Sequence, residues 1–190
     1  GAEHQFSHLW DMEHHTHHGS APSHGFKVGI ATLAVTALYE ELLRRPLHEL
    51  DVERCGAAWP DAGSAAANTR TLFAGEEFLP TALAETAAKH VGRDQLQRQL
   101  EQLRAGWPDL STRLRSQLLP TAEVKRRLQA VGAPAEPEEI GISRARLRAS
   151  FVRAQQIRRR FTVLDLAVRT GVLRSCLDSL FGPGGRWEIA

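Results

Sequence analysis

The chain has 190 residues, 42% of them hydrophobic and 24% charged, with a formal net charge of +2. These are the proportions of a soluble globular protein of one domain, or one domain with an appendage. Two isolated cysteines, Cys55 and Cys176, exclude a CxxC-type zinc site and a disulfide scaffold, and fit a reducing, cytoplasmic compartment.

Residues 2–13 place Phe6, Leu9, Trp10 and Glu13 at three- and four-residue spacing, which predicts a helix. His4 and His8 are four apart, so they share one face of it, a turn apart. Seven of the nine histidines fall before residue 25. His14, His15, His17 and His18 crowd a polar connector through Gly19, Ser20 and Pro22. That cluster is expected to be a solvated loop, able to bind adventitious metal. Ser23 is a good N-cap for a helix from His24 to Arg45, stopped by Pro46. This helix is apolar on most sides and is expected to be buried and central. Gly25 and Gly29 within it predict close approach of another backbone or a cofactor. The most apolar run, residues 28–39, is shorter than the ~20 residues of a bilayer span, and no secretory leader is seen.

Farther along, Leu47–Ala58 reads as one short helix ended by Trp59-Pro60. Asp61–Ala67 reads as a small-residue connector, with a helical turn or two over Ala65–Phe73. Glu76–Ala105 reads as a helix broken near Pro80 or Gly92, and Trp107-Pro108 is expected to end it and start another over Asp109–Leu119. Thr121–Ala130 is helical, and Gly132–Pro137 is a break. A basic helix is expected over Ser143–Arg160, then one starting at Phe161 or Thr162 and ended by Gly171, then Leu173–Phe181 and a turn over Gly182–Gly185. No alternating strand pattern and no repeat period is found, so the fold class is all-α, a helical bundle.

Charge is uneven. Residues 1–92 hold 6 basic and 12 acidic side chains, whereas residues 93–174 hold 17 basic and 8 acidic. Arg144, Arg146, Arg148, Arg153, Arg158, Arg159 and Arg160 make up the densest basic stretch. A solvated helix face is the first reading of it, contact with a phosphate of substrate or cofactor the second. Nucleic acid comes last, because single-strand binders interleave aromatics with cations and only Phe151 and Phe161 are near.

Imidazole is the commonest protein ligand for metals, and a helix pair presenting it across a gap can hold a divalent cation. A zinc protease needs HExxH with Glu as the base; Gln5 stands in that place and cannot take a proton. HQFSH at residues 4–8, a polar connector, and SHGFKVGIATL at residues 23–33 instead resemble the metal-binding region of the iron-containing alcohol dehydrogenase superfamily. Within it they look most like the sn-glycerol-1-phosphate dehydrogenase branch. RRRFTVLDLA at residues 158–167 resembles the C-terminal region of the same branch.

The resemblance implies a dinucleotide-binding domain followed by a helical domain. Residues 1–190 are then the distal, metal-binding part, consistent with a chain that starts at Gly1 inside a helix pattern. It implies His4 and His24 as ligands of a divalent cation (zinc, iron or nickel), and places His8 near the nicotinamide as a proton relay. A third or weaker ligand, or a plain helix-face histidine, is the other reading of His8. Two departures stand out: Phe26 replaces an acidic residue common after the His-Gly pair, and the family's carboxylate ligand, an Asp well upstream, would precede Gly1. NAD or NADP would be held mainly by the other domain. The implied substrate is a phosphorylated polyol, with dihydroxyacetone phosphate reduced to sn-glycerol 1-phosphate, and the implied assembly a homo-oligomer without nucleic-acid or membrane partners. A dehydroquinate-synthase-like lyase shares the architecture, and a non-enzymatic helical binding module with a basic face is the reading from another class.

Overall fold

The Ser23 hydroxyl accepts the Phe26 N–H at 3.1 Å and opens the helix on which the others lean. In this computed structural model, which describes residues 1–189, ten α-helices follow one another. They are α1 (Ala2–Met12), α2 (His24–Leu43), α3 (Val52–Ala58), α4 (Ala62–Leu72), α5 (Leu79–Lys89), α6 (Arg93–Gln117), α7 (Thr121–Ala130), α8 (Arg144–Gln156), α9 (Val163–Arg169) and α10 (Leu173–Phe181). Short 3-10 turns span Leu47–Glu49 and Pro137–Ile140. Among the described residues the β-structure is limited to an isolated bridge between His17 and Ser20. The fold is all-α, as expected, and no described helix is long and apolar enough to cross a membrane.

α2 is central because its sequence leaves it no polar face to turn outward over most of its length. Ile30, Leu33, Leu38 and Leu42 are buried, and the helix packs on α1, α7 and α10. Each such side chain stabilises the fold by ~1.5–3 kcal/mol. α1 buries Phe6, Leu9 and Trp10. Phe6 meets Phe151 of α8 edge-on at 5.0 Å, and the Trp10 indole N–H donates to Ser150 Oγ at 2.9 Å. Past α10 the chain turns back, and Trp187 stacks on Phe181 at 5.7 Å. α1, α2, α8 and α10 therefore share one core.

Several expected boundaries differ. Leu47–Ala58 is split, because Asp51 caps α3 by accepting the Arg54 N–H at 2.9 Å. Asp61 caps α4 in the same way through Ser64, so the expected connector is helical from Ala62. The break expected near Pro80 or Gly92 falls at both: Pro80 lies in the first turn of α5, and Gly92 precedes α6.

Pro108 does not end its helix; α6 runs through it for 25 residues. A proline inside a helix forfeits one hydrogen bond and costs ~3 kcal/mol or more. Burial of Leu96, Leu100 and Trp107 on that helix offsets the loss.

α8 stops at Gln156, short of the expected Arg160. The Thr162–Asp165 capping box starts α9 and fixes the chain there. Arg158–Arg160 consequently lie in a non-helical connector.

Candidate functional site

α1 and α2 follow one another in the chain and pack together, and the start of α2 brings His24 to the histidines of α1. A helix turns by roughly 100° per residue. The face of α1 is therefore read across from the buried Ser7 through Asp11, His4 and His8 to the buried Gln5. The start of α2 lies along the Ser7 edge. The Asp11 carboxylate pairs with Lys27, whose side chain is only 6% exposed, and this ion pair straps α2 to α1.

The rings of His4 and His24 lie 5.5 Å apart, centroid to centroid, and those of His8 and His24 6.5 Å apart. His4 and His24 are exposed and His8 is partly covered. His4 Nδ1 is 3.0 Å from the Glu3 carboxylate. Burial opposes ionisation of Glu3, but hydrogen bonding, that from His4 included, lowers its pKa. An ionised carboxylate can only accept, so the neutral His4 ring carries its proton on Nδ1 and leaves the Nε2 lone pair free. His24 Nδ1 shares a 3.2 Å hydrogen bond with the buried Ser7 hydroxyl, and in the tautomer where the ring donates, Nε2 keeps its lone pair. Metal-binding histidines use their second nitrogen in this manner.

His8 is placed differently. Partial burial, with the Arg158 cation as the next cause, pushes its pKa below the usual histidine value; Asp11 pulls the other way. At neutral pH it is an uncharged imidazole, able to take up a proton. Among the described residues no three His, Cys, Asp or Glu side chains converge as a metal-holding group. The donor set at this face is thus the pair His4 and His24, with His8 beside it. Two imidazoles engaged through Nδ1 fit a divalent cation as part of its shell; a structural or catalytic zinc site takes three or four protein ligands.

Other sequence-based expectations need correction. His15 does not lie on a solvated loop. It is 7% exposed, with Nε2–H donating to the Ile140 carbonyl at 2.7 Å and Nδ1 accepting from Arg146 at 2.6 Å. His14 and His18 are exposed at positive φ, where the loop reverses. No other backbone approaches these glycines: a Cβ at Gly29 would meet the Leu128 side chain of α7 at 3.4 Å, and one at Gly25 would reach the Ser23 hydroxyl at 4.0 Å.

The basic stretch is not a free cationic face either. Glu13, at the end of α1, receives Arg146 at 2.8 Å and Arg153 at 2.9 Å from α8. Arg153 also pairs with Glu76 and lies 4.8 Å over the Phe73 ring. Arg144 pairs with Glu138, Arg148 with Asp178, and Arg159 with Glu85. These pairings were not legible from spacing, since each links residues on different elements.

A separate cavity of ≈ 340 Å³ lies among α3, α4, α5, α8 and α9, walled by Trp59 and His90. Its polar groups are already engaged: Lys89 with Asp165, Thr69 with Gln156, and His90 with the Pro60 carbonyl. None of His4, His8 and His24 lines it.

The chain resembles part of a glycerol-1-phosphate dehydrogenase (NAD(P)+) from Halalkalibacterium halodurans, with 42% identity over 53 residues. That match covers 28% of this chain and 13% of the relative. No protein-family model matches the chain. No solved structure matches it.

Proposed function

We propose that this chain is the metal-binding helical portion of an NAD(P)-dependent dehydrogenase acting on a phosphorylated polyol, with sn-glycerol 1-phosphate and dihydroxyacetone phosphate as the substrate pair. The observation that carries this reading is the meeting of His4, His8 and His24 on one open face, with Nδ1 of both His4 and His24 already engaged. The partial likeness to a glycerol-1-phosphate dehydrogenase supports the same class. A dinucleotide domain and the remaining metal ligand belong, in this reading, to sequence outside residues 1–190, and the assembly is a homo-oligomer.

His4 and His24 would hold the cation through Nε2. Glu3 and Ser7 fix the two rings, so little rotamer freedom remains to be lost on binding. When bound, the cation (zinc, iron or nickel) would polarise the substrate oxygen, and the dinucleotide would exchange hydride with the adjoining carbon. His8, uncharged and one turn along α1, takes the proton from the substrate hydroxyl in oxidation and returns it in reduction. The ion pair Asp11–Lys27 keeps α2, and with it His24, in register with α1.

The test is metal content after chelation, reloading with one equivalent of zinc or nickel, and dialysis. His4→Ala and His24→Ala should each lose the ion, and a His14→Ala, His17→Ala, His18→Ala triple variant should keep it. Retention by both single variants with loss by the loop variant would overturn the assignment.

A further inference from the structure

Arg158 and Arg160 stand apart from the other five arginines of their stretch. Arg144, Arg146, Arg148, Arg153 and Arg159 each meet a carboxylate. Among the described residues neither Arg158 nor Arg160 does. The one hydrogen bond of the Arg158 guanidinium is a long one, 3.4 Å, to the carbonyl of Ile157 beside it.

Their location is fixed by α1. The Gln5 side-chain amide donates to the Arg160 carbonyl at 3.4 Å, and Gln5 Oε1 lies 3.5 Å from the Thr162 hydroxyl oxygen. Gln5 directly follows His4 and flanks His8 on the side away from α2. The connector 157–162 therefore forms the second wall of the histidine face, opposite His24.

That wall is rigid. Thr162 N–H donates to the buried Asp165 at 2.8 Å, Gln155 donates to the same carboxylate at 2.8 Å, and Arg159 is clasped by Glu85. Arg158 is partly buried and Arg160 exposed.

We propose that Arg158 and Arg160 form the phosphate-binding wall of this face and hold the phosphate monoester of the polyol substrate while its hydroxyl end lies at His4, His8 and His24. This rests on the dehydrogenase reading above and adds to it the residues that select a phosphorylated over a neutral polyol. Guanidinium groups suit this role, because their fork of donors matches phosphate oxygens and charge-assisted bonds to an anion are stronger than neutral ones. A phosphate on this wall could also come from the dinucleotide, and the two sources separate by competition.

The experiment titrates the whole 190-residue chain, at low salt and without added metal, with sn-glycerol 1-phosphate, glycerol, inorganic phosphate and NADP+, following backbone amide shifts at residues 157–162. sn-Glycerol 1-phosphate and inorganic phosphate should shift these amides saturably, and glycerol should not. Arg158→Ala and Arg160→Ala should each weaken sn-glycerol 1-phosphate binding by about tenfold, the scale of one charge-assisted hydrogen bond. Arg126→Ala, on α7, should leave it unchanged. An unaltered thermal midpoint for the arginine variants separates lost contact from lost fold.

Equal binding by wild type and the double variant would overturn the inference. So would saturable shifts of residues 157–162 by NADP+ that sn-glycerol 1-phosphate neither produces nor reverses. Metal content measured on the same variants keeps the two readings distinct. Normal zinc uptake with phosphate binding unaffected by the substitutions sinks the arginine wall alone. Arginine-dependent phosphate binding in a chain that takes up no zinc through His4 and His24 supports the wall and sinks the metal reading.

Discussion

Asp165 is expected to be among the most costly single side chains to remove. It is 1% exposed, pairs with Lys89 at 2.8 Å and accepts three hydrogen bonds, from Gln155 at 2.8 Å and from the Thr162 amide and hydroxyl at 2.8 and 3.2 Å. The Lys89 side chain is itself only 8% exposed. Asp165→Ala strands a buried ammonium and unlocks the start of α9. Removing one partner of a buried pair costs ~3–5 kcal/mol, a large share of the ~5–15 kcal/mol that holds a typical domain. Replacing both partners is far milder, so Lys89→Met with Asp165→Ala should recover most of the loss. The pH dependence follows from Lys89. Burial already pushes its pKa below the usual lysine value, with Asp165 opposing. Without Asp165 it falls further, so over a wide range below ~10.4 the unfolded chain binds the extra proton and stability rises with pH. The penalty of Asp165→Ala should therefore shrink between pH 7 and pH 10. Urea unfolding of wild type, both single variants and the double variant at the two pH values measures this. A loss under ~1 kcal/mol, or a penalty that does not change with pH, would refute the reasoning.

Two further outcomes follow from the histidines. His15 has its pKa lowered by burial first, with the Ile140 carbonyl opposing and the Arg146 cation adding to the lowering. Its neutral form is the one that fits, so the unfolded chain takes up the proton first as pH falls below ~6.5 and stability declines there. His15→Gln should flatten that decline in urea midpoints compared between pH 7.5 and pH 5.5; an identical slope would remove His15 from the acid response. In a complete enzyme, His8→Ala should retain its metal and lose ~100- to 10,000-fold in turnover; an unchanged rate across neutral pH would leave His8 a structural residue.

Local signals in the sequence settled much of the architecture. The Ser23 cap, the apolar belt of α2, the Thr162 start of α9 and the Gly171 stop, at φ +71°, act over a few residues and could be read directly. So could the shared face of His4 and His8, because four residues is one helical turn. The meeting of His24 with that face came from the family resemblance, and the packing of α2 on α1 shows its geometry.

Tertiary structure decided which charges are spent and which remain. A run of seven arginines looks the same in sequence whether its carboxylates are near or far. Glu85 and Asp178 lie on α5 and α10, Glu13 just past α1 and Glu76 between α4 and α5, up to 140 residues from the arginines they pair with. The same holds for His15, which resembles its loop neighbours until Ile140 and Arg146 close over it. Pro108 reads as a helix end by local rule, yet Trp107 anchors its helix in the core. In each case a short-range preference of about a kilocalorie or a few is outweighed by burial and pairing across the bundle, and those contacts exist only once the chain has folded.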